Sequence, residues 1–286
     1  MAHKHLHAPA WLLLAATLLL ACLPARAADP NSAATLRERH AELAPQLDRS
    51  PFQRPLTLDS SETSSQLQGS IDAVVSQPFA LMREQLQQPG AWCEILMLHL
   101  NTKQCIANGN ALGVHIGRKH DQPLSEAYRV AFTLKLNDVS ADYLDVRLGA
   151  ETGPFSTRDY RIQLQAIPLA DGSKTFLHLR YAYGYGFAAK LAMQGYLATL
   201  GAGKVGFTKT GSSHIGGLRG AIERNTMRYY LAIDTFLASP GAQQRTLRLE
   251  RWFAATEQYA KQLHEVERAD YLTMKQNEFR RLLGSG

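Results

Sequence analysis

The chain has 286 residues, a formal net charge of +6 and three cysteines. That length supports one large domain with a substantial core, and so mild a charge, with no clustered basic face, argues against nucleic-acid binding. With no H-E-x-x-H, C-x-x-C or phosphate-binding loop, no enzyme class is marked by a short motif, and nothing implies a cofactor or a metal ion.

Residues 1–27 read as a secretory signal peptide. Lys4 opens the n-region, Trp11 to Leu20 are apolar, and Ala25-Arg26-Ala27 is a small-x-small cleavage site. The run Trp11–Leu23 is too short to span a bilayer comfortably. Leu19-Leu20-Ala21-Cys22 is a poor lipobox, so a lipid-anchored Cys22 is the lesser alternative. Cleavage after Ala27 would remove Lys4 and Arg26, lower the net charge to +4 and leave the mature chain in the periplasm. Two cysteines then remain, Cys93 and Cys105. An even count in an oxidising compartment argues for a disulfide. A metal pair would want more nearby ligands than His99, and free thiols are the third option.

Residues 28–65 form an N-terminal extension with four prolines and a Ser/Thr-rich run. It reads as loose loops apart from a short helix over Thr35–Leu47. Period-two alternation begins at Leu67 and predicts a half-buried strand to Val75. Pro78 opens a helical stretch with Phe79, Met82 and Leu86 on one face, stopped by Gln88-Pro89-Gly90. Further alternating strands follow at Leu112–Ile116, Tyr128–Leu136, Leu144–Leu148, Tyr160–Ala166 and Leu177–Tyr185. Together they predict one antiparallel sheet with a wet face and a covered face. Phe187–Leu200 is a mostly apolar helix before a short strand near Lys204–Thr210, and Leu218–Ala238 is a long helix. Such an order gives a sheet wrapped around that long helix. Residues 247–283 form a charged helical extension whose Trp252, Phe253, Leu263 and Tyr271 dock on the domain.

At three places the sequence resembles the START-like, or SRPBCC, helix-grip superfamily. Strand Leu67–Val75 leads into Gln77-Pro78-Phe79 and then Trp92. Arg158-Asp159-Tyr160 is similar to the Arg-Asp-aromatic element that opens a late strand of lipid-transfer members. Leu218–Ala238 sits where the gripping helix belongs. The resemblance covers residues 66–239, and residues 240–286 are a C-terminal helical extension. It implies an α+β helix-grip fold: a curved antiparallel sheet around a long C-terminal helix, with helical N- and C-terminal extensions.

It also implies binding or transfer of a hydrophobic small molecule, a lipid, between sheet and helix, with transient membrane contact. Phe132, Leu134, Val146, Tyr160, Ile162, Tyr181, Tyr183, Tyr185, Tyr196, Tyr229 and Ile233 are the expected lining, although the tyrosines could equally complete a closed core. Arg158, Asp159 and Arg228 are head-group candidates, with a surface ion pair and a solvated helix face as the alternatives. Phe187–Leu200 is either a movable lid or a buried core helix. Arg219 and Glu223 have the spacing of a helix-surface pair. An enzyme of cyclase or hydrolase type would draw first on Asp159, Tyr183 and His178, although His178 is expected to face solvent. A third reading is an interaction module with a filled core. Gly211–Gly216, with Ser212, Ser213 and His214, lacks the context of a nucleophile elbow and reads as a flexible loop.

Overall fold

A computed structural model describes residues 29–169, 172–199, 201 and 203–284. The signal-peptide reading and the Tyr196 side chain lie outside the described residues. The chain is α+β, built on a curved, fully antiparallel eight-stranded sheet. Strands β1 (Leu56–Glu62) and β2 (Gln66–Val75) form a hairpin at one edge. Helices α2 (Phe79–Leu86) and α3 (Pro89–Leu96) then carry the chain to the far edge. It returns as a meander through β3 (Thr102–Asn108), β4 (Ala111–Ile116), β5 (Tyr128–Val139), β6 (Leu144–Thr152), β7 (Arg158–Leu169) and β8 (Lys174–Gly184), where β8 closes against β2. Pro89 takes the first helical position of α3, where its missing N–H costs nothing.

Alternation decides the faces. Ile71, Leu179, Leu164 and Val146 stand opposite one another across β2, β8, β7 and β6, and all are fully buried. Helix α4 (Phe187–Ala198) and a two-stranded ribbon, β9 (Lys209–Thr210) with β10 (Ser213–His214), lead to α5 (Gly217–Leu237). Helix α5 lies on this inner face. At Gly69 it comes so close that a Cβ would stand 2.2 Å from Thr226 Oγ1. Helices α6 (Arg245–Glu257) and α7 (Ala260–Leu263) cover the other side of α5 and α8 (Arg268–Gly284) packs on α6 and β3, burying Trp252, Leu263 and Tyr271, with Phe253 half-buried against Tyr271. Residues 240–284 therefore form a third layer, and α5 is buried almost all round.

Several sequence expectations are corrected. The stretch read as loose loops contains β1, whose Ser60 is buried through a hydrogen bond to Glu223 instead of by apolar contact. Strand β3 went unread because Lys103 is buried against Glu278 of α8. The short strand after α4 joins the ribbon and not the main sheet, so residues 211–216 include part of a hairpin. Glu223 makes no pair with Arg219. It accepts from Ser60, Thr208 and the backbone N–H groups of Phe207 and Thr208, pinning the 203–210 segment, while Arg219 donates to Ser60. His178 does not face solvent. Helix α1 (Ala33–Asp48), capped by Ser32, lies on the outer face and covers it. There His178 bonds Asp72, which also receives both arms of Arg39 at 2.5 and 2.6 Å. Burial works against the Asp72 charge, but the Arg39 and His178 hydrogen bonds outweigh it and hold the carboxyl below its usual range.

Candidate functional site

The inner face is not uniform. Its middle is aliphatic, but one end is a cluster of phenols. Tyr160 on β7 stacks on Tyr183 of β8 at 5.2 Å, and Phe132 of β5 meets the Tyr160 edge at 6.3 Å. Tyr181 of β8 lies 4.8 Å from Tyr229 of α5 and 5.7 Å from Tyr183. These five are the part of the predicted lining that the fold brings together at one end of the grip. Burial, with smaller contributions from neighbouring phenols, pushes the hydroxyls of Tyr181, Tyr183 and Tyr229 well above their ordinary range. They are neutral phenols at physiological pH, able to orient a polar tip but not to act as a ready base.

The remaining predicted residues divide. Leu134, Val146, Ile162 and Ile233 are core residues exposed by 2 % or less. Tyr185 stands apart from the other tyrosines. Strand β8 ends at Gly184, so Tyr185 leaves the alternation and its hydroxyl donates to the Thr63 carbonyl at 2.6 Å. Arg228 bonds Glu265 at 2.8 Å and the Leu263 carbonyl, on the side of α5 covered by the C-terminal helices. Arg158 and Asp159 form a 3.4 Å ion pair, both half-exposed, at a bulge in β7. The three enzyme suspects do not converge. Tyr183 projects from the inner face of β8, His178 from its outer face, and Asp159 lies at the surface. Among the described residues, no group of three His, Cys, Asp or Glu side chains is arranged to hold a metal ion. Cys93 and Cys105 form a disulfide joining α3 to β3, with Cα atoms 5.2 Å apart.

Sequence reasoning missed His99 as part of this end. Its ring lies 4.2 Å from Tyr229 and 6.0 Å from Trp252, and its Nε2 is buried with no hydrogen-bond partner among the described residues. Burial, helped by the Arg228 and Lys275 charges, pushes its pKa down to about 3. The available signal was its helical spacing from Trp92 and Leu96, which puts it on the buried side of the α3 turn.

Helix α4 covers the phenolic end. Ala189 is buried, Met193 and Leu197 pack against the core, and the Tyr183 hydroxyl reaches Met193 Sδ at 3.8 Å. The outer side of α4, beside the exposed Gln194, also carries large apolar side chains. Phe187 is 79 % exposed and Leu191 53 %, and the adjoining turn at 154–156 carries Phe155, 76 % exposed. That turn is strained, since Phe155, Ser156 and Asp159 all have positive φ near 55–60°. Gly153 is required there, because a Cβ would meet the Tyr160 ring at 2.3 Å. The geometry is thus an aromatic end of the grip, an apolar helix over it, and a solvent-facing rim of three large hydrophobic side chains.

No protein-family model matches the chain, and no curated protein matches it. Several solved structures are similar in outline. A conserved protein from Geobacillus kaustophilus aligns at 12 % identity and a TM-score of 0.36, covering 60 % of this chain and 95 % of its own. A protein from Arthrobacter aurescens aligns at 10 % identity and 0.33, covering 64 % and 92 %. The human StarD13 (DLC2) lipid transfer and protein localization domain aligns at 10 % identity and 0.28, covering 54 % and 88 %. Likenesses this faint carry no functional argument, and the function has to be read from the geometry of the phenolic end itself.

Proposed function

We propose that this chain is exported to the periplasm and binds a hydrophobic small molecule, a lipid, at the phenolic end of the grip beneath α4. One observation carries the reading: α4 carries apolar side chains on both sides, closing the aromatic end with Ala189, Met193 and Leu197 while showing Phe187 and Leu191 to solvent beside Phe155. A soluble domain has no folding reason to group such side chains outside, and an exposed apolar group of this kind marks a contact with membrane, ligand or partner. Displacing α4 would give up a weak sulfur contact and a modest apolar interface, and a ligand would restore both at about 0.8 kcal/mol per buried methylene. The neutral phenols of Tyr160, Tyr181, Tyr183 and Tyr229 would orient its polar tip. The Cys93–Cys105 disulfide supports the exported location.

A second reading has its own support. The rings of the phenolic end already touch one another, as in an interaction module with a filled core. Transfer of a pyrene-labelled phospholipid between vesicles distinguishes them. The mature protein should accelerate transfer, and Phe155→Ser with Phe187→Ser should slow it about tenfold, by removing roughly 1.5 kcal/mol or more of rim contact, without moving Tm. Tyr181→Ala with Tyr183→Ala should lower occupancy. Absence of transfer and of binding by the wild-type protein would leave the filled-core reading.

A further inference from the structure

The outer face of the sheet carries a different kind of site. Between α1 and strands β6–β8 lies a cavity of about 410 Å³, within the range of small-molecule pockets and far larger than one water. The strand register explains its chemistry. Arg147 on β6 stands opposite Gln163 on β7, which stands opposite Arg180 on β8, so the three project in one row onto the outer face. Arg161, two residues back along β7, projects to the same side, and Arg39 of α1 closes the cavity from above. Four guanidinium groups therefore line one hollow.

The two buried carboxylates nearest the row, Asp72 and Asp145, are already occupied. Asp72 is bonded by Arg39 and His178, and Asp145 accepts from the Gln163 amide at 2.9 Å. Glu38 and Glu42 lie on the exposed rim. Among the described residues, no carboxylate comes within 4 Å of Arg147, Arg161 or Arg180, and Arg147 Nε is buried with no hydrogen-bond partner. Burial, with the Arg39 and Arg147 charges added, lowers the Arg180 pKa, so these groups repel one another in a partly desolvated place.

We infer that this cavity is a second binding site, independent of the grip, for a small hydrophilic organic anion. Arg147, Arg161 and Arg180 would hold its phosphate or carboxylate group, and the amides of Gln66 and Gln68 at the same wall would meet its hydroxyls. Guanidinium groups suit such oxyanions because their N–H pairs match two oxygens at once. The anion can be a soluble metabolite or the head group of a lipid, and the test separates the two.

Calorimetric titration of the mature protein with glycerol 3-phosphate and with citrate, at ionic strength held constant with sodium chloride, tests the site. Saturable binding with Kd at or below about 1 mM is expected for at least one probe, weakened about tenfold or more in Arg147→Gln and in Arg180→Gln. Arg161→Gln and Arg180→Gln change exposed positions and keep the test open if Arg147→Gln fails to fold. Sedimentation with phosphatidylglycerol vesicles is the second arm. Vesicle binding that Arg161→Gln and Arg180→Gln abolish, without binding of the soluble probes, supports the site and assigns it to a head group. No saturable binding to any probe or vesicle, or binding unchanged in both exposed-arginine variants, overturns the inference. Phe155→Ser with Phe187→Ser should leave this binding unchanged, so its failure and that of the grip reading are separable.

Discussion

His99 makes the protein acid-sensitive in a window that can be calculated. Its folded pKa is about 3, against an ordinary value near 6.5 in the unfolded chain. The unfolded chain takes up a proton that the folded chain refuses, so stability present above pH 6.5 is lost as pH falls towards 3. The limiting slope is about 1.4 kcal/mol per pH unit, and between pH 6 and pH 4.5 the loss comes to about 2 kcal/mol. His40 and His115 are also pushed down by burial and contribute to the total slope. The carboxylate Asp72, held below its usual range, loses its contribution only at lower pH. His99→Phe keeps a ring against Tyr229 and Trp252 and removes only the titration. Urea unfolding of both proteins at half-unit steps across this window should show the wild type losing about 2 kcal/mol more than the variant. Parallel curves would refute the claim that the His99 ring is held neutral in the core.

Three further outcomes are expected from the packing. Glu278 faces Lys103 at 3.0 Å and Lys275 at 2.8 Å with all three side chains buried, so Glu278→Gln should cost about 3–5 kcal/mol in urea unfolding at pH 7, with part of the loss recovered at higher pH as the lysines discharge. Reducing Cys93–Cys105, which closes a 12-residue separation, should cost about 3 kcal/mol and lower Tm under dithiothreitol. Gly69→Ala should cost about 1–3 kcal/mol through its clash with Thr226 Oγ1, and a double-mutant cycle with Thr226→Ala should recover part of it, because the Oγ1 is then gone.

The sheet was legible where burial follows apolar alternation. Strands β5 to β8 and β2 show their inner faces in sequence because buried apolar residues recur at every second position, as at Val130, Phe132 and Leu134 of β5 and Leu144, Val146 and Leu148 of β6. Legibility failed where polar residues are buried by partners far along the chain. Ser60 meets Glu223 163 residues away, and Lys103 meets Glu278 175 residues away, so β1 and β3 carry no apolar signature on those positions. Alternation also gives a side chain's face but not what covers it. His178 does lie on the outer face, yet α1 buries it there, and the arginine row of β6–β8 becomes a cavity wall only because α1 stands over it. At the candidate site, Tyr160, Tyr181, Tyr183 and Tyr229 meet because strand register and the α5 stripe agree. A strand end turns the Tyr185 hydroxyl to the Thr63 carbonyl, and a third helical layer draws Arg228 to Glu265, neither of which alternation or helical spacing reveals.

Whether an apolar ligand sits beneath α4 is the question on which the proposed function turns. Native mass spectrometry of the protein purified from the cells that make it, with organic extraction of anything bound, addresses it most directly. A stoichiometric apolar adduct, lost in Tyr181→Ala with Tyr183→Ala, is the expected result. A clean apo mass, unchanged after incubation with a lipid extract, would contradict it.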